Sequence, residues 1–154
     1  MHNPTSSTVL TILLLGVLSQ NLVVPVTCTP TSSPTPFTGT SYYWSSNPGR
    51  IKEVLGWVGT IGSAFGVGSS NNKIPSNVSL VHALSNTTSD GLGALCREGT
   101  ASFLNSLVNN KFPYTTPQVR DTFVGSLVSD IAAAAQANLF FNVFSIFLNS
   151  LYYN

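Results

Sequence analysis

Apolar residues recur at helical spacing through the second half of the chain. Between Leu92 and Val108 they fall on one side of a helix, whereas Arg97, Glu98 and Asn105 fall elsewhere. The segment 115–118, TTPQ, then supplies an N-cap, a proline in the first turn and a capping-box partner. The helix that it opens is expected to bury a stripe of residues at steps of four, Val119, Phe123, Leu127 and Ile131, supported by Val124 and Val128.

Shorter helical patterns precede these two. After Pro48, apolar residues at positions 51, 54, 55 and 58 fit one face of a helix, although glycines thin the pattern beyond that point. Leu80, Val81 and Leu84 have helical spacing as well, with Asn86 close to the end of that helix. The whole pattern predicts an all-α fold, a small bundle of four or five helices.

The last stretch, residues 131–153, is hydrophobic almost all round, which is typical of a helix that is buried or in a membrane. Asn, Gln and Ser interrupt it every few residues, and amides are costly in a bilayer. We therefore expect residues 138–154 to continue the helix and to lie on the domain, and membrane contact through this tail is not favoured. Removing residues 138–154 is expected to leave a folded domain that is more soluble.

The N-terminal region has the pattern of an exported protein. The run Val9 to Leu18 is ten apolar residues long, which suits the core of a signal peptide and is too short for a spanning helix. Residues 1–28 are predicted to be the signal peptide, with cleavage after Ser19 or after Cys28. Residues 29–40 are rich in Pro, Ser and Thr and are predicted to be a linker.

The chain has two cysteines, and the cleavage site decides what they can do. Cleavage after Ser19 would leave Cys28 and Cys96 available to pair in an oxidising compartment. Cleavage after Cys28 would leave Cys96 as a single thiol, so no internal disulfide could form. The helical pattern around Cys96 favours a buried, structural position.

Charge excludes one class of partner. Six basic residues nearly balance five acidic ones, and the basic residues are spread along the chain. Because nucleic-acid binding depends on clustered Lys and Arg, no nucleic-acid partner is predicted. The oligomeric state has no signature in the sequence.

Two sequons fit an extracellular location. Asn77-Val78-Ser79 and Asn86-Thr87-Thr88 match Asn-x-Ser/Thr without proline, so Asn77 and Asn86 are predicted glycosylation sites. Both sites then have to lie at the surface.

Catalytic chemistry is not indicated by the remaining residues. His82 and Cys96 are not set in a nucleophile motif, and no His, Cys or carboxylate spacing matches a zinc or calcium site. We therefore expect no enzyme activity, no metal and no cofactor. The aromatic run Tyr42, Tyr43 and Trp44 is the remaining candidate site, as a core plug at Trp44 and as a surface for a ligand at the two tyrosines.

Four segments together resemble the C-terminal domain of the plant protodermal factor family. They are YYWSSNPGRIKEVLGWVGTIGSAFG (42–66), ALSNTTSDGLGAL (83–95), REGTASFLNSLVNNKFPYTTPQVRDTFVGSL (97–127) and AAAAQA (132–137). Residues 41–137 are accordingly assigned to the family domain. The motif and core residues that carry the resemblance are Trp57, Gly59, Arg97, Glu98, Phe103, Leu104 and Phe123.

The resemblance implies a secreted protein of the epidermal cell wall or surface without enzyme activity, with wall polysaccharide or other wall proteins as partners. The alternative is an extracellular carrier of an apolar ligand such as a cuticle lipid. The chain departs from the family pattern in three places. A Cys and a His of the family pattern are replaced by Ser41 and Asn47, the proline-rich tract is short, and the tail 138–154 is divergent.

Overall fold

The structure is a computed structural model that describes residues 37–57, 59–68 and 73–152. In these ranges the fold is all-α, as predicted, with four helices of eight or more residues and three of five or six. The helices are α1 (Ser41–Ser46), α2 (Pro48–Leu55), α3 (Ile61–Phe65), α4 (Leu80–Leu84), α5 (Gly91–Val108), α6 (Thr116–Gly125) and α7 (Asp130–Tyr152). The predicted signal peptide and residues 29–36 of the predicted linker lie outside the described residues.

Local signals set most of the helix ends. The Thr115 side chain accepts a hydrogen bond from the Gln118 backbone N–H, and the Gln118 side-chain oxygen accepts one from the Thr115 backbone N–H, so the predicted capping box opens α6. Gly56 ends α2 at a φ of 72°, in the left-handed region where glycine has no steric penalty. Asp90 is the N-cap of α5, and its carboxylate accepts from the Gly93 N–H.

Helix α5 is the centre of the domain, and α7 packs along it. The two helices come closest at Gly91, where a β-carbon would overlap the backbone oxygen of Asp130. Asp130 also accepts a hydrogen bond from the Leu92 N–H, so residues from two helices satisfy the first turn of α5. A second close approach lies at Gly99, where a β-carbon would stand 2.6 Å from the Phe123 ring.

The core forms around these helices and contains the predicted Phe103, Leu104 and Phe123. Phe65 of α3 stacks on Phe123 with ring centroids 3.8 Å apart, and it meets Phe103 at 5.3 Å. Arg120 lies 5.2 Å from the centroid of the Phe103 ring and donates a hydrogen bond to the Ala64 carbonyl. These contacts join α3, α5 and α6.

A buried polar side chain of α5 joins this helix to α1 and to the segment before α1. The Asn105 side-chain oxygen accepts from the Gly39 N–H at 2.8 Å and from the Trp44 indole N–H at 2.9 Å. The Asn105 amide nitrogen donates to the Gly39 carbonyl at 2.9 Å. Asn105, expected on the polar side of its helix, is therefore buried, and we call the three residues Gly39, Trp44 and Asn105 the amide clamp.

The predicted stripe of α6 is correct only in its first part. Val119, Phe123 and Leu127 are buried, but Val124 and Val128 are exposed and Ile131 has 83% of its surface exposed. The cause is a 3₁₀ helix at Ser126–Val128, which ends α6 and starts α7 in a new direction. The four-residue spacing therefore no longer points Ile131 to the core.

The tail continues the Ala-rich helix and lies on the domain, as expected. Phe140 is 1% exposed and meets the Tyr114 ring at 5.6 Å, while Phe147 meets Phe112 at 6.1 Å. Phe140 belongs to the core, so removing residues 138–154 would take a core side chain with the tail, and the folding of the truncated chain stays a prediction.

Neighbouring phenylalanines of α7 provide a test. Phe140→Ala should lower the free energy of unfolding by about 3–5 kcal/mol, because it leaves a cavity in the core. Phe141→Ala should change it by less than about 0.5 kcal/mol, because 54% of Phe141 is exposed. Urea unfolding followed by circular dichroism measures both values. Equal destabilisation by the two substitutions would contradict the packing of α7 described above.

The amide clamp gives a second test. Asn105→Ala should cost about 3 kcal/mol or more, because it leaves the Gly39 N–H, the Gly39 carbonyl and the Trp44 indole N–H without their partner. Asn138→Ala, on the exposed side of α7, is the matched control and should have almost no effect. The same urea titration decides, and a small effect at Asn105 would show that water replaces the lost bonds.

Candidate functional site

The aromatic run at the start of α1 divides between core and surface. Trp44 is buried in the amide clamp, as predicted, whereas Tyr42 is 79% exposed. Tyr43 is half-buried between Phe37, at 4.6 Å, and Trp44, at 5.6 Å between ring centroids. The three residues therefore do not form one platform, and Tyr42 alone presents most of its ring to solvent.

The structure corrects the position of Trp57. Its side chain was expected in the core, but 44% of it is exposed, because Gly56 ends α2 and turns the chain outward before Trp57. Trp57 forms one wall of an apolar depression with a cavity volume of about 230 Å³. We call this depression the Trp57 groove, and its other lining residues are Pro48, Gly49, Ile51, Lys52, Gly59, Leu80 and Val81.

The floor of the Trp57 groove belongs to the core. Ile51 and Leu80 are almost fully buried, and Gly59 lies so close to Leu80 that a β-carbon would stand 2.7 Å from its side chain. The Leu80 N–H donates to the Gly59 carbonyl, which fixes α4 against the segment before α3. The floor is thus rigid, and the predicted motif residue Gly59 has a structural role beneath the groove.

Arg97 and Glu98 form a half-buried ion pair at 2.9 Å. Arg97 also donates to the Asn86 carbonyl, and Glu98 accepts from the Ser41 hydroxyl at 3.4 Å. Both motif residues therefore connect α5 to neighbouring segments, one to the loop after α4 and one to α1. Their observed contacts are structural.

A second cavity, also of about 230 Å³, lies beside α4 and the start of α5. His82, Asp90 and Cys96 are among its lining residues. Burial raises the pKa of the Cys96 thiol to about 11, with a smaller contribution from the negative charge of Asp90. In the part of the chain that the structure describes, no hydrogen bond joins His82 to Cys96, and the raised pKa opposes a nucleophilic role for the thiol.

The two sequons lie at the surface. Asn77 is exposed in the turn before α4. Asn86 is half-exposed, and its side-chain oxygen accepts from both the N–H and the hydroxyl of Thr88 at 2.8 Å. This local turn connects the first and third residues of the sequon. Both asparagines are thus placed where a glycan would meet solvent.

Helix α7 has an apolar outer face. Ile131, Leu139 and Ile146 are exposed on it, and the 18-residue window from Asp130 to Phe147 has a mean hydropathy of 1.2. By length and composition this is the one helix among the described residues that meets the minimum for crossing a membrane. The same helix packs its inner face on the core, so insertion would require it to leave the domain.

Across residues 37–57, 59–68 and 73–152, no cluster of three or more His, Cys, Asp or Glu side chains has the geometry of a metal site. The sequence did not predict the positions of two residues, one at the surface and one in the core. Lys52 was counted only among the basic residues spread along the chain, and it lines the Trp57 groove. Asn105 was predicted to lie on the polar side of its helix. The one signal for burial was its position next to Leu104 on a helix with few charged residues.

The reactivity of Cys96 is predicted to be low. A thiol with a pKa of about 11 has roughly a hundredfold less thiolate at pH 8 than one with a pKa of 9.0. Iodoacetamide should therefore modify Cys96 at least that much more slowly in the native chain than in urea, as measured by mass spectrometry of the Cys96 peptide. Because the thiol pKa is raised on folding, the protonated thiol favours the native state, and this contribution should be complete below about pH 9 and lost as the pH rises towards 11. Equal rates in the two states would contradict the buried position.

Comparison with known proteins identifies the family of the domain that carries these surfaces. Residues 40–143 match the family profile described as the protodermal factor 1 C-terminal domain. The Arabidopsis thaliana protein Protodermal factor 1 is 56% identical over 108 residues, which cover 68% of this chain and 35% of that protein. The chain thus matches about a third of the length of that relative, and no solved structure matches. Since the family profile covers more than half of the chain, this protein belongs to the protodermal factor 1 C-terminal domain family.

Proposed function

We propose that this protein is a secreted, non-enzymatic component of the plant epidermal cell wall or surface that contributes to wall or cuticle organisation. The observation that carries the proposal is the 56% identity to Protodermal factor 1 over 108 residues, because a likeness of that extent includes the core and its motifs. Partners of this function are wall polysaccharide or other wall proteins.

Three features of the chain support this proposal. The apolar run at residues 9–18 has the length of a signal-peptide core, and the two sequons have surface positions. The motif residues Arg97 and Glu98 have structural partners. A stable helical domain at the end of a Pro/Ser/Thr tract suits a wall protein that acts by binding and position.

A second function, carriage of an apolar ligand, is favoured by one specific observation. Such a carrier needs a cavity lined by apolar side chains, and the Trp57 groove is one. We propose it as a function of the same domain, at a groove that neither Asn77 nor Asn86 lines.

Secretion and glycosylation are tested together. Protein made in plant cells should be recovered from the extracellular fraction, and treatment with an N-glycosidase should increase its mobility on a gel. The variants Asn77→Gln and Asn86→Gln assign the shift to one site or to both, and extraction of walls with salt measures how firmly the protein is held. Protein that stays in the cytosol with no change in mobility would overturn the proposal.

A further inference from the structure

We propose that the Trp57 groove binds a free aliphatic carboxylate, with its hydrocarbon chain along Trp57 and its carboxylate at Lys52. The inference rests on the second function proposed above, ligand carriage, and adds the chemical class of the ligand and the residues that hold each end. It is independent of where the protein accumulates in the tissue.

The apolar part of the site is preformed. Its floor is made of side chains that already belong to the core, Ile51 and Leu80, so it does not depend on a ligand to keep its shape. Its wall is the Trp57 side chain, which leaves 44% of its surface in contact with water. A large apolar surface next to a concave apolar floor gains free energy when a hydrocarbon segment covers both.

The size of the groove limits what enters it. A volume of about 230 Å³ is below the roughly 300–1,000 Å³ typical of sites that enclose a drug-sized ligand. The groove therefore suits a slender alkyl segment and excludes bulky fused rings. The remainder of a longer chain would extend past the groove over the surface.

The charge at the groove selects the head group. Of the three charged residues of α2, Arg50 and Glu53 pair with each other at 2.9 Å. Lys52 lines the groove, and among the described residues no carboxylate forms an ion pair with it. A cation at the edge of an apolar trough complements a ligand that has a hydrocarbon chain and one negative charge.

Other occupants fit these observations less well. A sugar needs several hydrogen-bonding side chains around the aromatic ring, and apart from Lys52 the lining side chains, Pro48, Ile51, Trp57, Leu80 and Val81, are apolar. A proline-rich peptide would pack on the Trp57 ring but would bring no negative charge to Lys52. A negatively charged membrane surface would need a broad basic patch, and the one other basic residue of α2, Arg50, is already paired with Glu53.

The test uses the full secreted chain and dodecanoate below its critical micelle concentration. Isothermal titration calorimetry measures the affinity, and the fluorescence of Trp57 reports contact with the ring, since Trp44 is buried in the amide clamp. Dodecanoate should bind, and dodecyltrimethylammonium, with the same chain and the opposite charge, should bind about tenfold more weakly or not at all.

Three variants separate the two ends of the site. Lys52→Glu should weaken dodecanoate binding by about tenfold, whereas Lys111→Glu, an exposed lysine outside the groove, should leave it unchanged. Trp57→Ala should weaken binding of dodecanoate and dodecan-1-ol alike, because it removes the apolar wall. Circular dichroism confirms that each variant is folded, which the exposure of all three side chains favours.

Several results would overturn the inference. They are equal affinity of the native chain and Lys52→Glu for dodecanoate, equal affinity for the two oppositely charged detergents, and unchanged binding by Trp57→Ala. Binding of a proline-rich peptide or a cello-oligosaccharide in the groove without any binding of dodecanoate would assign a different ligand. Binding to vesicles of anionic lipid without binding to monomeric dodecanoate would assign a membrane surface. None of these results bears on extraction from the wall, so the proposed location stands or fails separately.

Discussion

The architecture depends on one constraint, that helix α5 is surrounded by other segments on every side over two turns. Residues 99–105 are all buried, whereas a helix on the surface of a domain buries only one stripe. Neighbours can approach from all directions because the first four of these residues are Gly, Thr, Ala and Ser. The small side chains bring Phe123 of α6 within contact of Gly99. At the N-terminal end of α5, Gly91 allows the same close approach by α7.

A fully surrounded helix can hold few polar groups, because each is costly without a partner, and among the described residues the Thr100 hydroxyl has none. Asn105 meets this requirement by using both halves of its amide on Gly39 and Trp44. The charged residues of α5, Arg97 and Glu98, lie before this stretch and bond to the loop after α4 and to α1. Charges and the two sequons are thereby left to the periphery, and the Trp57 groove lies there too, between α2 and α4. The centre of the domain is structural, and its surface is where partners can be bound.

Helical periodicity predicted much of this fold because it reports a local property of the chain. It placed α5, the start of α6 and the buried Leu104 and Phe123, and the TTPQ segment identified a helix start from side-chain chemistry alone. It predicted the wrong burial at two kinds of position. Ile131 lies beyond a 3₁₀ helix, so the direction of the helix changes and the count of residues no longer indicates the face.

Asn105 and Trp57 escaped for another reason, which is that their environments come from distant parts of the chain. An asparagine is polar in any periodicity analysis, and the approach of Gly39 and Trp44, 66 and 61 residues away, makes a buried position favourable for it. Trp57 is large and apolar, so it was expected inside, but the left-handed turn at Gly56 directs it outward. The sequence therefore did not predict the groove.

The amide clamp also sets how the domain responds to mechanical load. A pull on the chain at Phe37 reaches Gly39 before it reaches α1, and Gly39 holds Asn105 by its N–H and its carbonyl together. Both bonds share one partner side chain, so the force passes to Asn105 in the buried part of α5. Short helix α1 is therefore protected from being peeled away turn by turn. A domain tethered through its N-terminal side would transmit tension to its core and yield as a unit.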